Sequence, residues 1–265
     1  MAKHLVIPDL QIAPHHEIDH LEHIGKWAAD KKPDVIILIG DVADMPSLSS
    51  WDKPGTKAFE GRRYKADVES VHDGMNKLMQ PIKDEQARLV RNKEKQWKPR
   101  LILTLGNHED RISRAINNDP KLDGLISIDD LGFKDHGFEV YPFLQVVVVD
   151  GIAYSHYFVS GAMGRPICTA QALLTKLHMS CFAGHQQGRQ IAYGKRADGK
   201  EMTAIICGSA YPHDEAYLGI QGNNHFRGIY QLNDVHDGTF DEMALSLKYL
   251  KERYGSNKVV NIKAA

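Results

Sequence analysis

The chain has 265 residues, 42% hydrophobic and 25% charged, with a formal net charge of −1 and a pI near 6.9. That length and composition bury a sizeable core, and the near-neutral charge gives no whole-molecule field to draw the chain to nucleic acid or an anionic membrane. Cys168, Cys181 and Cys207 form no CxxC pair and no apolar run reaches bilayer length, so a disulfide framework and a membrane span are excluded and a cytoplasmic setting is expected.

Taken in chain order, Leu5–Ile7 is a short apolar run that ends at Pro8-Asp9. His20 to Ala29 then places Leu21, Ile24 and Ala28 on one face of a helix. Val35 to Ile39 is a second strand, ending at Gly40-Asp41. Tyr64 to Gln96 carries Val68, Val71, Met75, Leu78 and Ile82 at helical steps, with Pro81 expected to kink or split the helix. Leu101 to Leu105 ends at Gly106-Asn107-His108, and Arg111 to Ile116 opens another helix. From about residue 140 the strands crowd together, which predicts hairpins: Val146 to Val149, Ile152 to Tyr154 before Ser155-His156, Cys181 to Ala183 before Gly184-His185, and Ala204 to Cys207 before Gly208. Continuous apolar runs of this length are strands buried on both faces, and the helices between the first of them define an α/β chain. With no repeat, linker or low-complexity tract, the chain reads as a single domain over residues 1–265.

The chemistry lies at the strand ends, where open α/β sheets bind ligands. Five such ends carry oxygen or imidazole donors: Asp9 with Gln11, Asp41, Asn107 with His108, His156, and His185 with Gln187. Residues two apart on an extended strand end face the same way, so Asp9 and Gln11 are expected to share one ion, as are His185 and Gln187. Individually each has an ordinary reading: Asp9 and Asp41 as turn residues, His156 as a satisfied core histidine, Asn107 as a helix cap. The joint order favours metal.

That order resembles the calcineurin-like metallophosphoesterase family, whose pattern is DxH, GD, GNH(E/D), a lone His and GHxH. Here it reads Asp9-Leu10-Gln11, Gly40-Asp41, Gly106-Asn107-His108-Glu109, His156 and Gly184-His185-Gln186-Gln187, spanning about two-thirds of the chain. The resemblance implies a four-layer α/β/β/α sandwich of two mixed β-sheets, and hydrolysis of phosphate mono- or diesters by a metal-bound hydroxide at a dinuclear centre. It implies that Asp41 bridges two divalent ions, that Asn107, His156 and His185 complete the second site, that Asp9 serves the first, and that His108 protonates the leaving oxygen. Gln11 and Gln187 stand where the family has histidines, both on the first site. Amide oxygens make that site harder, which favours Mn²⁺ over Zn²⁺ or Fe, with Mg²⁺ also suited. His15 and His16 follow closely enough to add an imidazole there.

The main alternative is a non-catalytic binding module on the same fold with a degraded first site. His16-Glu17-Ile18-Asp19-His20 also matches HExxH, which on a helix would make a zinc protease site. Arg111 and Arg114 follow the Gly-Asn-His-Glu block and are candidates for substrate phosphate, Arg111 foremost, against the plainer reading of a salt-bridged helix face. Lys83 to Arg100 is rich in Lys and Arg, so a nucleic acid or nucleotide partner is an option beside a solvated helix face. The loops 42 to 66 and 157 to 180 are expected to set the substrate. No phosphate-binding GxxxxGK loop and no GxSxG elbow is present.

Overall fold

The protein is described from a computed structural model that covers residues 2–50, 55–56, 59–215 and 218–255. Strands β1 (Ala2–Ile7), β2 (Val35–Leu38), β3 (Arg100–Thr104) and β4 (Glu139–Tyr141) run parallel. They alternate with helices α1 (Asp19–Lys31), α2 (Tyr64–Arg91) and α3 (Asp110–Asn118). The antiparallel pair β12 (Gly228–His236) and β13 (Thr239–Ser246) joins at β1, giving a six-stranded mixed sheet in the order β13-β12-β1-β2-β3-β4.

The second sheet is also mixed. β5 (Val147–Val149) and β6 (Ile152–Ser155) form a hairpin, β9 (Cys181–Ala183) lies parallel to β6, and β10 (Gln190–Lys195) and β11 (Glu201–Ile206) form a further hairpin beside it. The order is β10-β11-β9-β6-β5. Two minor strands, β7 (Val159–Ser160) and β8 (Arg165–Pro166), pair apart from both sheets. Helices α4 (Ala170–Leu177), α5 (Gly219–Asn223) and α6 (Leu247–Tyr254) complete the described elements longer than one helical turn.

Side chains from both sheets meet in one apolar cluster: Val6, Ile37, Ile102 and Tyr230 from the first, Ile152, Tyr154, Phe182 and Ile205 from the second. The opposite face of the first sheet packs Leu5, Ile36, Leu38 and Leu103 against α1, α2 and α6. The opposite face of the second packs Ala153, Cys181 and Ala204 against Leu173 and Leu174 of α4. Strands between two such cores are apolar on both sides, which explains their continuous runs.

Three expectations change here. Helix α2 is unbroken through Pro81 and ends at Arg91, short of Gln96. A proline removes one intrahelical hydrogen bond, and burial of Leu78, Met79 and Ile82 around it keeps the helix in place. At this point α1 comes so close that a Cβ on Gly25 would overlap the Leu78 carbonyl and touch Pro81. His16 and His20 are not on one helix, since α1 begins only at Asp19, so the HExxH pair lacks the shared face its chemistry requires. The basic tract after Lys83 is tied up in part by ion pairs, with Arg88 held by both Glu85 and Glu94.

Candidate metal centre

Asp9, Asp41, Asn107-His108, His156 and His185 all follow the carboxyl ends of β1, β2, β3, β6 and β9, in both sheets. The loops there leave the extended conformation at once. Gln11, Asp41 and His185 have φ of 42°, 48° and 67°, in the left-handed region that non-glycine residues seldom occupy. The side chains at 9 and 11, and at 185 and 187, are therefore not placed by a continuing extended strand, contrary to the expectation from spacing. Strained backbone of this kind clusters at ligand sites, where the surrounding structure holds it. Glu109 does part of that holding. Its fully buried carboxylate accepts from the backbone N–H groups of Asp41 (3.1 Å), Ala43 (2.8 Å) and Gly106 (2.7 Å), clamping the two loops together. Gly106 is required because a Cβ there would collide with the Asp41 carboxylate, and Gly184 because a Cβ would collide with that of Asp9.

Asp41, His156 and His185 place ligand atoms within 4.8 Å of one another. Asn107 closes the group, its Oδ1 lying 3.0 Å from His156 Nε2 and 2.8 Å from His185 Nδ1. It points into this group rather than capping α3, whose N-cap is Glu109. His156 Nε2 is also 3.2 Å from Asp41 Oδ2. The other ring nitrogen of His156 donates to the Ile39 carbonyl at 2.8 Å. In a neutral ring Nε2 then carries a lone pair, aimed at two oxygens that are themselves acceptors. A gathering of acceptors in a fully buried place requires a positive charge among them. Burial by itself lowers His156, but the Asp41 charge beside it prevails and pushes it up to about 10. The charges of His108 and His156 hold Asp41 ionised against the desolvation that opposes it. Burial and the charge of His156 lower His185 to about 4, leaving a neutral imidazole ready to ligate.

Asp9 is fully buried behind this group and accepts from the His185 N–H at 3.1 and 3.2 Å. Burial, with the Asp41 charge adding to it, raises Asp9 to about 7. Gln11 is 2% exposed, and its Oε1 is buried with no hydrogen-bond partner. A buried amide oxygen left in this state normally costs ~1–3 kcal/mol, and a cation would remove that cost. Gln11, Gln187, Asp41, His108 and His185 line one open cavity of about 450 Å³. The residues present therefore fit a divalent ion at Asp41, Asn107, His156 and His185, and Gln11 and Gln187 add amide groups to the same cavity. His16 is not positioned as an obvious extra ligand, since its ring stacks on His213 at 3.8 Å, and His15 is exposed.

His108 stands at the rim, Nε2 3.7 Å from Asp41 Oδ2. Its Nδ1 is 2.7 Å from Asp44 Oδ1. Burial lowers its pKa, yet Asp41 and Asp44 together raise it above the ordinary value. Arg111 hydrogen-bonds the carbonyls of Asp44 (2.7 Å) and Met45 (3.4 Å) and lies 3.3 Å from His108 Nε2. It braces the 44–45 loop as well as facing the site. Sequence reasoning passed over Asp44 and assigned no role to Glu109. The signal for Asp44 was its place three residues after Asp41, on the same strand-end loop.

No protein-family model matches the chain. It is 32% identical to the Gene 54 protein of Mycobacterium phage D29 over 80 residues, 26% of this chain and 31% of that protein. It is 34% identical to the Gene 54 protein of Mycobacterium phage L5 over 79 residues, 30% of this chain and 29% of that protein. The match thus spans under a third of the length of each curated relative. Among solved structures, YfcE, a phosphoesterase from E. coli, overlaps with a TM-score of 0.39 at 12% identity, covering 92% of this chain and 100% of that one. A conserved uncharacterized protein from Streptococcus pneumoniae, a predicted phosphoesterase, overlaps at a TM-score of 0.29 and 12% identity over 92% of this chain and 98% of that one. GAP50, the anchor in the inner membrane complex of Plasmodium, overlaps at 0.30 and 10% identity over 93% and 85% of the two chains. Overlaps this loose leave the site to be read from its own residues. No described helix is long and apolar enough to cross a membrane.

Proposed function

We propose that this protein is a metal-dependent phosphoesterase that hydrolyses phosphate mono- or diesters at a dinuclear centre, on an α/β/β/α sandwich formed by the three cores in series. The observation that carries the reading is the convergence of Asp41, Asn107, His156 and His185 beside a carboxylate-held His108.

In this reading Asn107, His156 and His185 would hold the second ion, Asp9, Gln11 and Gln187 would hold the first, and Asp41 would serve both. Mn²⁺ suits the oxygen-rich first site best. Bound divalent ions supply neutralisation of the phosphoryl charge and acidify a nucleophilic water. The chain does the rest. Glu109 holds the Asp41 loop rigid through three backbone hydrogen bonds. Asp44 accepts the Nδ1 proton of His108, so the proton available to substrate sits on Nε2, which faces the cavity. Asp41 and Asp44 favour the protonated imidazole against burial and the Arg111 charge, and it donates to the leaving oxygen as a general acid. Arg111 holds the loop carrying Asp44 and places a guanidinium next to the same Nε2.

Calorimetric titration with Mn²⁺ tests the metal assignment. Two unequal sites are expected, the tighter one lost in His156→Ala and the weaker one in Gln11→Ala. Two equal sites, or none, would count against it.

A further inference from the structure

Next to Arg111, the chain leaves a pocket of about 320 Å³ to which Ser47, Ser49, Ser50, Phe59, Arg111 and Arg114 contribute. Arg111 joins it to the metal centre, because the guanidinium lining this pocket is the one 3.3 Å from His108 Nε2. We propose that this pocket is the leaving-group subsite and that the leaving alcohol it takes is a nucleoside bearing a further phosphate. The proposal rests on the phosphoesterase reading of the adjoining centre.

Position is the first argument. A general acid must lie within hydrogen-bond reach of the leaving oxygen, so the group attached to that oxygen extends past His108. The pocket adjoins His108 through Arg111, which lines it and touches that imidazole. Composition is the second. Its nine described lining residues include two arginines and no carboxylate. The neighbouring pocket of about 380 Å³ beyond Asp44 carries Asp44, Glu60, Asp67 and Glu215 as well as its arginines, and does not favour an anion. Arg114 anchors to the Asn107 carbonyl at 2.7 Å and pairs with Asp110 at 3.3 Å, yet its side chain stays 50% exposed on the pocket side of α3. Its planar fork suits a phosphate.

Shape is the third. Phe59 offers a half-buried ring, with the Arg62 guanidinium 5.7 Å from its centre. A ring so placed stacks any nucleobase without reading its identity. Leu48 and Ala115 add apolar surface, while the three serines and Asn118 supply hydrogen-bonding groups for a sugar and base. At ~300 Å³, the low end for small-molecule pockets, the space admits one nucleoside rather than a stretch of strand.

Equilibrium binding tests this, using the full chain with Mn²⁺ and two probes, inorganic phosphate and thymidine bisphosphate. Wild type is expected to bind the nucleotide at least about fivefold more tightly than phosphate. Phe59→Ala removes most of that difference while leaving phosphate affinity as it was. Arg114→Gln, on an exposed helix face, reduces nucleotide affinity independently of any folding change at Phe59. A nucleotide bound no better than phosphate, or a preference that survives both substitutions, overturns the subsite. Failure of wild type to bind phosphate at all overturns the underlying phosphoesterase reading instead.

Discussion

Asp44 Oδ1 lies 2.7 Å from His108 Nδ1, and this contact decides which nitrogen of the imidazole faces the metal centre. With the Nδ1 proton committed to Asp44, only Nε2 can exchange a proton with substrate.

Replacing Asp44 by Asn keeps the shape but removes the charge and lets the ring adopt either tautomer. General acid catalysis contributes ~10²–10⁴-fold. We expect kcat for an alkyl phosphate ester to fall by about 10²-fold in Asp44→Asn. For p-nitrophenyl phosphate, whose leaving group needs little protonation, the loss should be under about tenfold. Steady-state kinetics with the two substrates checks this, and equal losses on both would remove Asp44 from the proton path.

Glu109→Gln should loosen the Asp41 loop. The carboxylate accepts three backbone N–H bonds while fully buried, and an amide presents one acceptor and one donor to the same three donors. A loss of about 2–4 kcal/mol in denaturant unfolding is expected. Weaker Mn²⁺ binding should accompany it, because Asp41 loses its fixed backbone.

His20 gives the fold a pH dependence separate from the metal centre. The ring is 9% exposed, and both of its nitrogens lack hydrogen-bond partners. Burial, with the nearby charges of His213 and His23, lowers its pKa from 6.5 to about 3. Its folded pKa lies below the unfolded one, so the unfolded chain takes up the proton first. The contribution is intact above pH 6.5 and is lost as pH falls from there toward 3. At ~1.4 kcal/mol per pH unit, the loss reaches about 2 kcal/mol by pH 5. In His20→Leu the drop in unfolding free energy between pH 7 and pH 5 should shrink by about that amount. An unchanged slope would place the acid sensitivity elsewhere.

Gln11→His restores an imidazole at the site whose amide oxygen now lacks a partner. Histidine tolerates left-handed backbone better than most residues, so the φ of 42° is no bar. Affinity at the weaker metal site should rise about tenfold, ~1.4 kcal/mol, with preference moving toward Zn²⁺. Competition titrations of Mn²⁺ and Zn²⁺ report both changes.

Much of this architecture is legible in the sequence, and the exceptions have physical causes. Strands buried on both faces, such as Val35–Leu38 and Arg100–Thr104, show as apolar runs, and the donors that follow them mark the site. β13 is an edge strand with Asp241, Glu242 and an exposed Met243, so its pattern never becomes continuous, and β12 turns polar at Asn233 and Asp234. Both went unread, although β12 lies against β1 and extends the first sheet. The donors of the second site come together from both sheets, which sequence order alone does not dictate. Asp44 and Glu109 act through backbone and ring contacts across loops, so although Asp44 stands three residues after Asp41, its pairing with His108 and the backbone partners of Glu109 follow only from the folded loops.

The most direct measurement is hydrolysis of bis-p-nitrophenyl phosphate and p-nitrophenyl phosphate by wild type and Asp41→Asn, each with Mn²⁺ and after chelation. A phosphoesterase built on Asp41 should turn over at least one of the two esters in Mn²⁺, stop on chelation, and lose about 10³-fold or more in kcat/KM in Asp41→Asn. Full activity in Asp41→Asn, or no turnover by wild type with Mn²⁺, Mg²⁺, Fe or Zn²⁺, would contradict the account and leave a binding module on the same fold.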